Sequence, residues 1–325
     1  MLLSIAAVFA GFALLVWSAG RCVMGAAATA RNFGVTPMII GLTIVGFGTS
    51  VPEFLVSGMA AWEGNTGLAI GNVIGSNITN IGLVLGMAAL LAPLTVRSET
   101  LRREFPLLLA VTLLAYWLMA DGVLSRVDGV MLFAGLIAVV YLLVKRRDSA
   151  DPLVAESVAG EAATMPTKHA LFWLFLGLIV MLAASRLLVW GSVNIAYLFG
   201  VSDLVIGLTI VAVGTSLPEL MASVTGALKH EHDIALGNII GSNIFNLLGV
   251  LSLPGLIHPD EFELEVLTRD FPWMIGLTLA MFMMAYGFRG KNQGQIQGRI
   301  GRTGGAILLL AFGGYMVWLY RTALS

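Results

Sequence analysis

Gly41-Leu-Thr-Ile-Val-Gly-Phe-Gly-Thr-Ser-Val-Pro-Glu53 sets one carboxylate in the middle of an otherwise apolar run, and the chain contains this pattern twice. The second copy is Gly207-Leu-Thr-Ile-Val-Ala-Val-Gly-Thr-Ser-Leu-Pro-Glu219, 166 residues further on. Each copy leads into Gly-Asn-x-Ile-Gly-Ser-Asn-Ile-x-Asn, from Gly71 to Asn80 and from Gly237 to Asn246, with the same offset of 166. Aligned without gaps from Val35 and Val201, 23 of 46 positions are identical. The chain is an internal duplication.

Composition identifies the solvent. Of 325 residues, 58% are hydrophobic and only 11% charged, a balance foreign to ordinary soluble domains. A helix needs roughly 20 apolar residues to cross the hydrocarbon layer. Apolar runs near 2–19, 35–62, 68–91, 105–120 and 127–144 make one set of five, and those near 170–189, 201–228, 234–257, 271–288 and 306–320 make a second. These patterns predict an all-α polytopic membrane protein with about ten transmembrane helices. The first five-helix half covers 1–144 with its repeat motif at 35–106, and the second covers 169–325 with its motif at 201–272. Residues 145–168, rich in Ala, Asp, Glu and Pro, read as an exposed connector. No Lys or Arg precedes the first apolar run, so that run reads as a span and not as a cleaved signal. Cys22 is the single cysteine, which excludes a disulfide within the chain, and a formal charge of −1 gives no reason to expect a nucleic-acid partner. No protein partner is indicated.

Lysine and arginine collect on the cytoplasmic side of membrane proteins. With the N-terminus outside, fourteen of the eighteen fall in cytoplasmic loops, among them Arg21, Arg31, Arg103, Lys168 and Lys229. Only Arg126, Arg186, Arg269 and Arg321 fall outside. This distribution places both termini outside, makes the connector cytoplasmic and points to a plasma membrane, the inner membrane in a bacterium. An offset of five spans is odd, so the two five-helix repeats have inverted topology. Many secondary transporters are built this way, with an ion site near the midplane where helices are interrupted.

The interruptions are legible. Pro52 and Pro218 lack an amide hydrogen and clash with the preceding turn, so carbonyls near Gly48-Thr49 and Gly214-Thr215 lose helical partners. In hydrocarbon such groups persist only where they face protein, water or an ion. Thr49, Ser50, Thr215 and Ser216 add hydroxyls at that depth, while Ser76, Asn77, Asn80, Ser242, Asn243 and Asn246 bring more oxygens from neighbouring spans. Neither copy contains Cys or His, and a set made only of oxygens suits a hard cation such as Ca²⁺. Glu53 and Glu219 balance a double charge. A buried acid costs about 2.5–3.5 kcal/mol at the bilayer centre on insertion scales, which marks both as functional.

These residues resemble the cation/calcium antiporters that include the sodium/calcium exchangers. The likeness rests on Gly-Thr-Ser-x-Pro-Glu at Gly48 to Glu53 and Gly214 to Glu219, and on Gly-Asn-x-Ile-Gly-Ser-Asn at Gly71 to Asn77 and Gly237 to Asn243. They look like the two alpha-repeats of that family. The resemblance implies a calcium site among the second, third, seventh and eighth helices, with Ca²⁺ on the carboxylates of Glu53 and Glu219 and the carbonyls of Thr49 and Thr215. It implies sodium sites at Ser50, Ser76, Ser216, Ser242 and the backbone near Gly46 and Ala212, with Asn80 and Asn246 beside them. It also implies three sodium ions per calcium and hence net charge movement.

The expected activity is Na⁺/Ca²⁺ antiport by alternating access, without covalent chemistry and without a cofactor, the substrates being the two ions. Proton/calcium exchange through protonation of Glu53 and Glu219 is the alternative, and a cation channel is a third. Many relatives carry Asp where this chain has Asn246; potassium-dependent ones pair that Asp with K⁺ transport, so exchange here is expected to be K⁺-independent. The acidic run Asp260, Glu261, Glu263 and Glu265 reads as a solvated outer loop. His169, His230, His232 and His258 sit at span ends without metal-ligand spacing.

Overall fold

The structure is a computed structural model; it describes residues 1–97, 100, 102–145, 165–198, 212–287, 290–292 and 295–323. The helices are α1 (Leu2–Phe33), α2 (Pro37–Thr49), α3 (Val51–Trp62), α4 (Thr66–Leu91), α5 (Glu104–Leu118), α6 (Arg126–Lys145), α7 (Thr167–Leu198), α8 (Ala212–Thr215), α9 (Leu217–Leu228), α10 (His232–Ile257), α11 (Phe271–Gly287) and α12 (Arg302–Ala323). Taking α2 with α3 and α8 with α9 as broken pairs gives ten apolar segments among the described residues, the all-α polytopic membrane architecture. Short strands occupy connecting segments: β1 (Leu94–Val96), β2 (Val123–Leu124), β3 (Asp260–Glu261), β4 (Gly290–Asn292) and β5 (Gln295–Ile300), pairing antiparallel as β1-β5-β4 and β2-β3. The start of the second copy, Gly207 to Val211, and 146–164 of the connector lie outside the described residues.

Residues group into two compact units, each drawing on both sequence halves. The first comprises Met1–Pro52 and Val140–Gly241. Its spine is the antiparallel pair α1 and α7. A Cβ on Gly11 would lie 2.9 Å from Leu188, one on Gly25 would lie 2.4 Å from the Leu174 amide, and one on Gly177 would lie 2.6 Å from that of Cys22. Only glycine permits this approach, and small residues are how membrane helices reach each other's backbones. Because α1 and α7 are equivalent helices of the two repeats, their antiparallel course is the inversion expressed in one contact.

Arg21 and Arg31 were expected in a loop, but α1 continues to Phe33, where Gly34 ends it at φ 62°. The apolar run marks only the lipid-facing part of the helix. Phe9, Phe12 and Trp17 are exposed, whereas Cys22, Val23 and Ala26 to Ala30 are buried by protein. Small residues with high helix propensity carry the helix past the hydrocarbon. Lys168 and Arg186 likewise lie within α7 instead of in flanking loops.

The second unit comprises Glu53–Val139 and Ser242–Ser325. Here α4 packs on α12 through Gly82 against Phe312 and Gly86 against Leu309, and α5 meets α11 through Phe105–Phe282 and Tyr116–Phe271 ring contacts. Asn65 caps α4 by accepting from the Leu68 amide at 3.0 Å. π-Helical turns begin at Asn80 and at Asn246, equivalent positions of the two repeats. Such turns concentrate at functional sites.

Candidate functional site

Both copies of the motif break where the prolines require it. Ser50 (φ −78°, ψ 2°) separates α2 from α3, which bend by 45°, and Ser216 (φ −88°, ψ 6°) separates α8 from α9. Pro218 cannot donate to the Gly214 carbonyl one turn back. The Ser185 hydroxyl does so instead at 2.9 Å. The expectation of a free acceptor at Gly214 is therefore corrected: α7 supplies the missing donor, and Ser185 leaves no sequence signal because its equivalent position is Ala19.

Within the first unit, Thr49, Ser50, Ser216, Glu219 and Asn238 are all buried. The Ser50 hydroxyl lies 3.4 Å from Glu219 Oε1 as donor. Asn238 on α10 donates to the Glu219 carbonyl at 3.2 Å and to Ser223 Oγ at 2.8 Å, and its own Oδ1 accepts from Thr49 Oγ1 at 3.0 Å. One amide thus joins the two copies of the broken motif. The Gly46 carbonyl accepts from the Ser50 amide at 3.2 Å and from Thr49 Oγ1 at 3.3 Å. Thr215 closes α8, partly exposed, and Ala212 opens the described part of that helix. The α10 backbone sits directly on α2: a Cβ at Gly237 would be 2.7 Å from the Met38 carbonyl, and one at Gly241 would be 2.3 Å from that of Leu42.

The second unit repeats the arrangement around Glu53. Asn72 on α4 donates to the Glu53 carbonyl at 3.3 Å and to Ser57 Oγ at 2.8 Å, while Ser76 Oγ donates to Glu53 Oε1 at 3.4 Å. Asn80 donates to Asn243 Oδ1 at 3.1 Å. Glu53, Ser76, Asn77, Asn80, Ser242, Asn243 and Asn246 are buried, and both amide atoms of Asn77 and Asn246 lack a hydrogen-bond partner among the described residues. At Gly71 and Gly75, equivalent to Gly237 and Gly241, a Cβ would meet nothing within 4 Å.

The clamp of Asn72 with Ser57, and of Asn238 with Ser223, was absent from the expected site residues. Its signal was available: all four are identical between the repeats. Among the described residues no three His, Cys, Asp or Glu side chains gather. What each unit offers is one carboxylate surrounded by hydroxyls and amides, a donor set for hard cations.

Fold and site together define a multi-pass membrane protein with a duplicated, buried oxygen site of inverted topology. The sodium/calcium exchanger protein family matches residues 3–145 and 169–321, and the chain belongs to it. It is 50% identical to CaxA of Alkalimonas amylolytica over 99% of this chain and 100% of that one. It is 41% identical to the inner membrane protein YrbG of Escherichia coli K12, over 98% and 96% respectively. A solved structure of the sodium-calcium exchanger NCX_Mj superposes with a TM-score of 0.82 at 33% identity, over 96% of both chains.

Proposed function

We propose that this protein exchanges Na⁺ for Ca²⁺ by alternating access, electrogenically and without K⁺. The observation that carries the reading is the duplicated unit of a buried glutamate at a helix break, its backbone held by an asparagine and its carboxylate touched by a serine hydroxyl. In this reading Ca²⁺ takes the carboxylates of Glu53 and Glu219 with the carbonyls of Thr49 and Thr215. Sodium takes Ser50, Ser76, Ser216, Ser242, Asn80, Asn246 and the backbone at Gly46 and Ala212. The serine hydroxyls can turn their lone pairs to an arriving ion, and the amide clamps keep each glutamate backbone in register as occupancy changes. Sequence similarity to NCX_Mj supports the ion pair. The five-helix halves 1–144 and 169–325, the cytoplasmic connector 145–168, the external termini and the inner-membrane location belong to the same proposal.

Calcium uptake into proteoliposomes under an imposed sodium or proton gradient tests it. Uptake driven by outward sodium with no change in internal pH is expected. Uptake that follows the proton gradient and ignores sodium would replace this reading with proton/calcium exchange.

A further inference from the structure

We propose that Arg21 and Lys229 form a binding site for the phosphate headgroup of an anionic phospholipid, at the edge of the hydrocarbon layer on the α1–α7–α9 face. The placement comes from α1 itself. Its exposed stretch from Leu2 to Trp17 spans about 24 Å at 1.5 Å per residue, comparable to the roughly 30 Å hydrocarbon layer. Arg21 follows one turn later. Its guanidinium lies 4.5 Å from the Trp173 ring centroid and 5.8 Å from that of Trp17, and the two rings meet edge to face at 6.2 Å. Tryptophans at this level are the belt residues of a membrane interface. Lys229, exposed at the end of α9, reaches α1 one residue away and donates to the Gly20 carbonyl at 2.8 Å.

The two cations share a level and lack an opposing acid among the described residues. The nearest carboxylate in sequence, Glu231, pairs with Arg31 at 3.5 Å. The Arg21 guanidinium lies over the tryptophan rings and meets no hydrogen-bond acceptor or acid among the described residues, which leaves its N–H donors, the part that recognises phosphate, unspent. Lys229 spends one of three donors on Gly20. A phosphodiester with its acyl chains along the exposed face of α1 satisfies what remains. Free phosphate offers the same oxygens but leaves Trp17, Phe12 and Phe9 without a lipid chain.

Native mass spectrometry of the full chain, released from vesicles of phosphatidylcholine with a minority of phosphatidylglycerol, tests this. Phosphatidylglycerol is expected to be retained roughly tenfold above its share, falling by roughly fivefold in Lys229→Gln and to near its bulk share in Arg21→Gln with Lys229→Gln. The charge-keeping pair Arg21→Lys with Lys229→Arg should retain the enrichment, which separates a charge effect from a folding defect. No enrichment in the wild type, or enrichment that survives both glutamines, overturns the proposal. Displacement of the lipid by inorganic phosphate alone would mark a free-anion site instead and equally overturn it.

Discussion

Asn238 makes three hydrogen bonds inside a buried region, to Thr49, Ser223 and the carbonyl of Glu219, and is therefore a different kind of residue from the acid that it holds. Replacing it with alanine strands several buried polar groups, each costing about 1–3 kcal/mol. Asn238→Ala should lower stability by about 3 kcal/mol in a thermal melt and take transport with it. Glu219→Gln and Glu53→Gln keep volume and most hydrogen bonding but remove one charge each from the proposed divalent site. They should melt within a few degrees of wild type and exchange no calcium. Wild-type exchange in either glutamine variant would remove the acids from the site. The acids were legible in the sequence because a carboxylate is conspicuous in an apolar run. The asparagines were hidden among motif residues, since which carbonyl an amide reaches depends on how neighbouring helices pack.

At the scale of elements, the turns after α3 and after α9 are the same device in two sequences. In each, backbone amides return to the preceding helix: Gly64 to Ala61 and Asn65 to Ala60, then His230 to Ala227 and Glu231 to Gly226. The turning residue is Gly64 at φ 76° in one and His230 at φ 61° in the other. A side chain in the left-handed region costs about 1–2 kcal/mol, partly offset by the greater freedom of glycine in the unfolded chain. His230→Gly is accordingly expected to stabilise by roughly 0.5 kcal/mol, seen as a small rise in melting temperature. A fall would mean that the edge-to-face contact of His230 with His232 outweighs the backbone strain. The existence of the helices, and their breaks at the prolines, could be read from hydropathy. Their lengths could not, because Cys22 to Ala30 of α1 is covered by protein and needs no apolar run to be helical.

For the whole molecule, the proposed exchange sets two acids against one Ca²⁺, and exchange for three Na⁺ would move one charge, worth about 2.3 kcal/mol per 100 mV. An imposed potential should therefore shift the calcium distribution in vesicles, and replacing K⁺ by choline should leave the flux unchanged. A potential-independent endpoint would exclude that ratio, and a flux abolished by choline would return Asn246 to a packing role. The duplication followed from a constant offset of 166, and its inverted sense from the odd number of spans between the copies. How compact units form across the two halves did not, because that depends on which helices face each other.

The glycines of α4 and α10 carry a further consequence. Gly237 and Gly241 are pressed against the α2 backbone, whereas their counterparts Gly71 and Gly75 face open space. One sequence element thus appears in two settings at once, and under the proposed alternating access the inverted repeats would exchange those settings when access changes sides. On that proposal each copy is in effect a cast of what the other becomes half a cycle later. Gly241→Ala should then weaken the fold in the present state, while Gly75→Ala should not lower the melt and yet slow exchange, because the added methyl meets nothing now and an obstacle in the state not yet reached. Undiminished exchange in Gly75→Ala would show that this glycine never enters the close packing its twin displays.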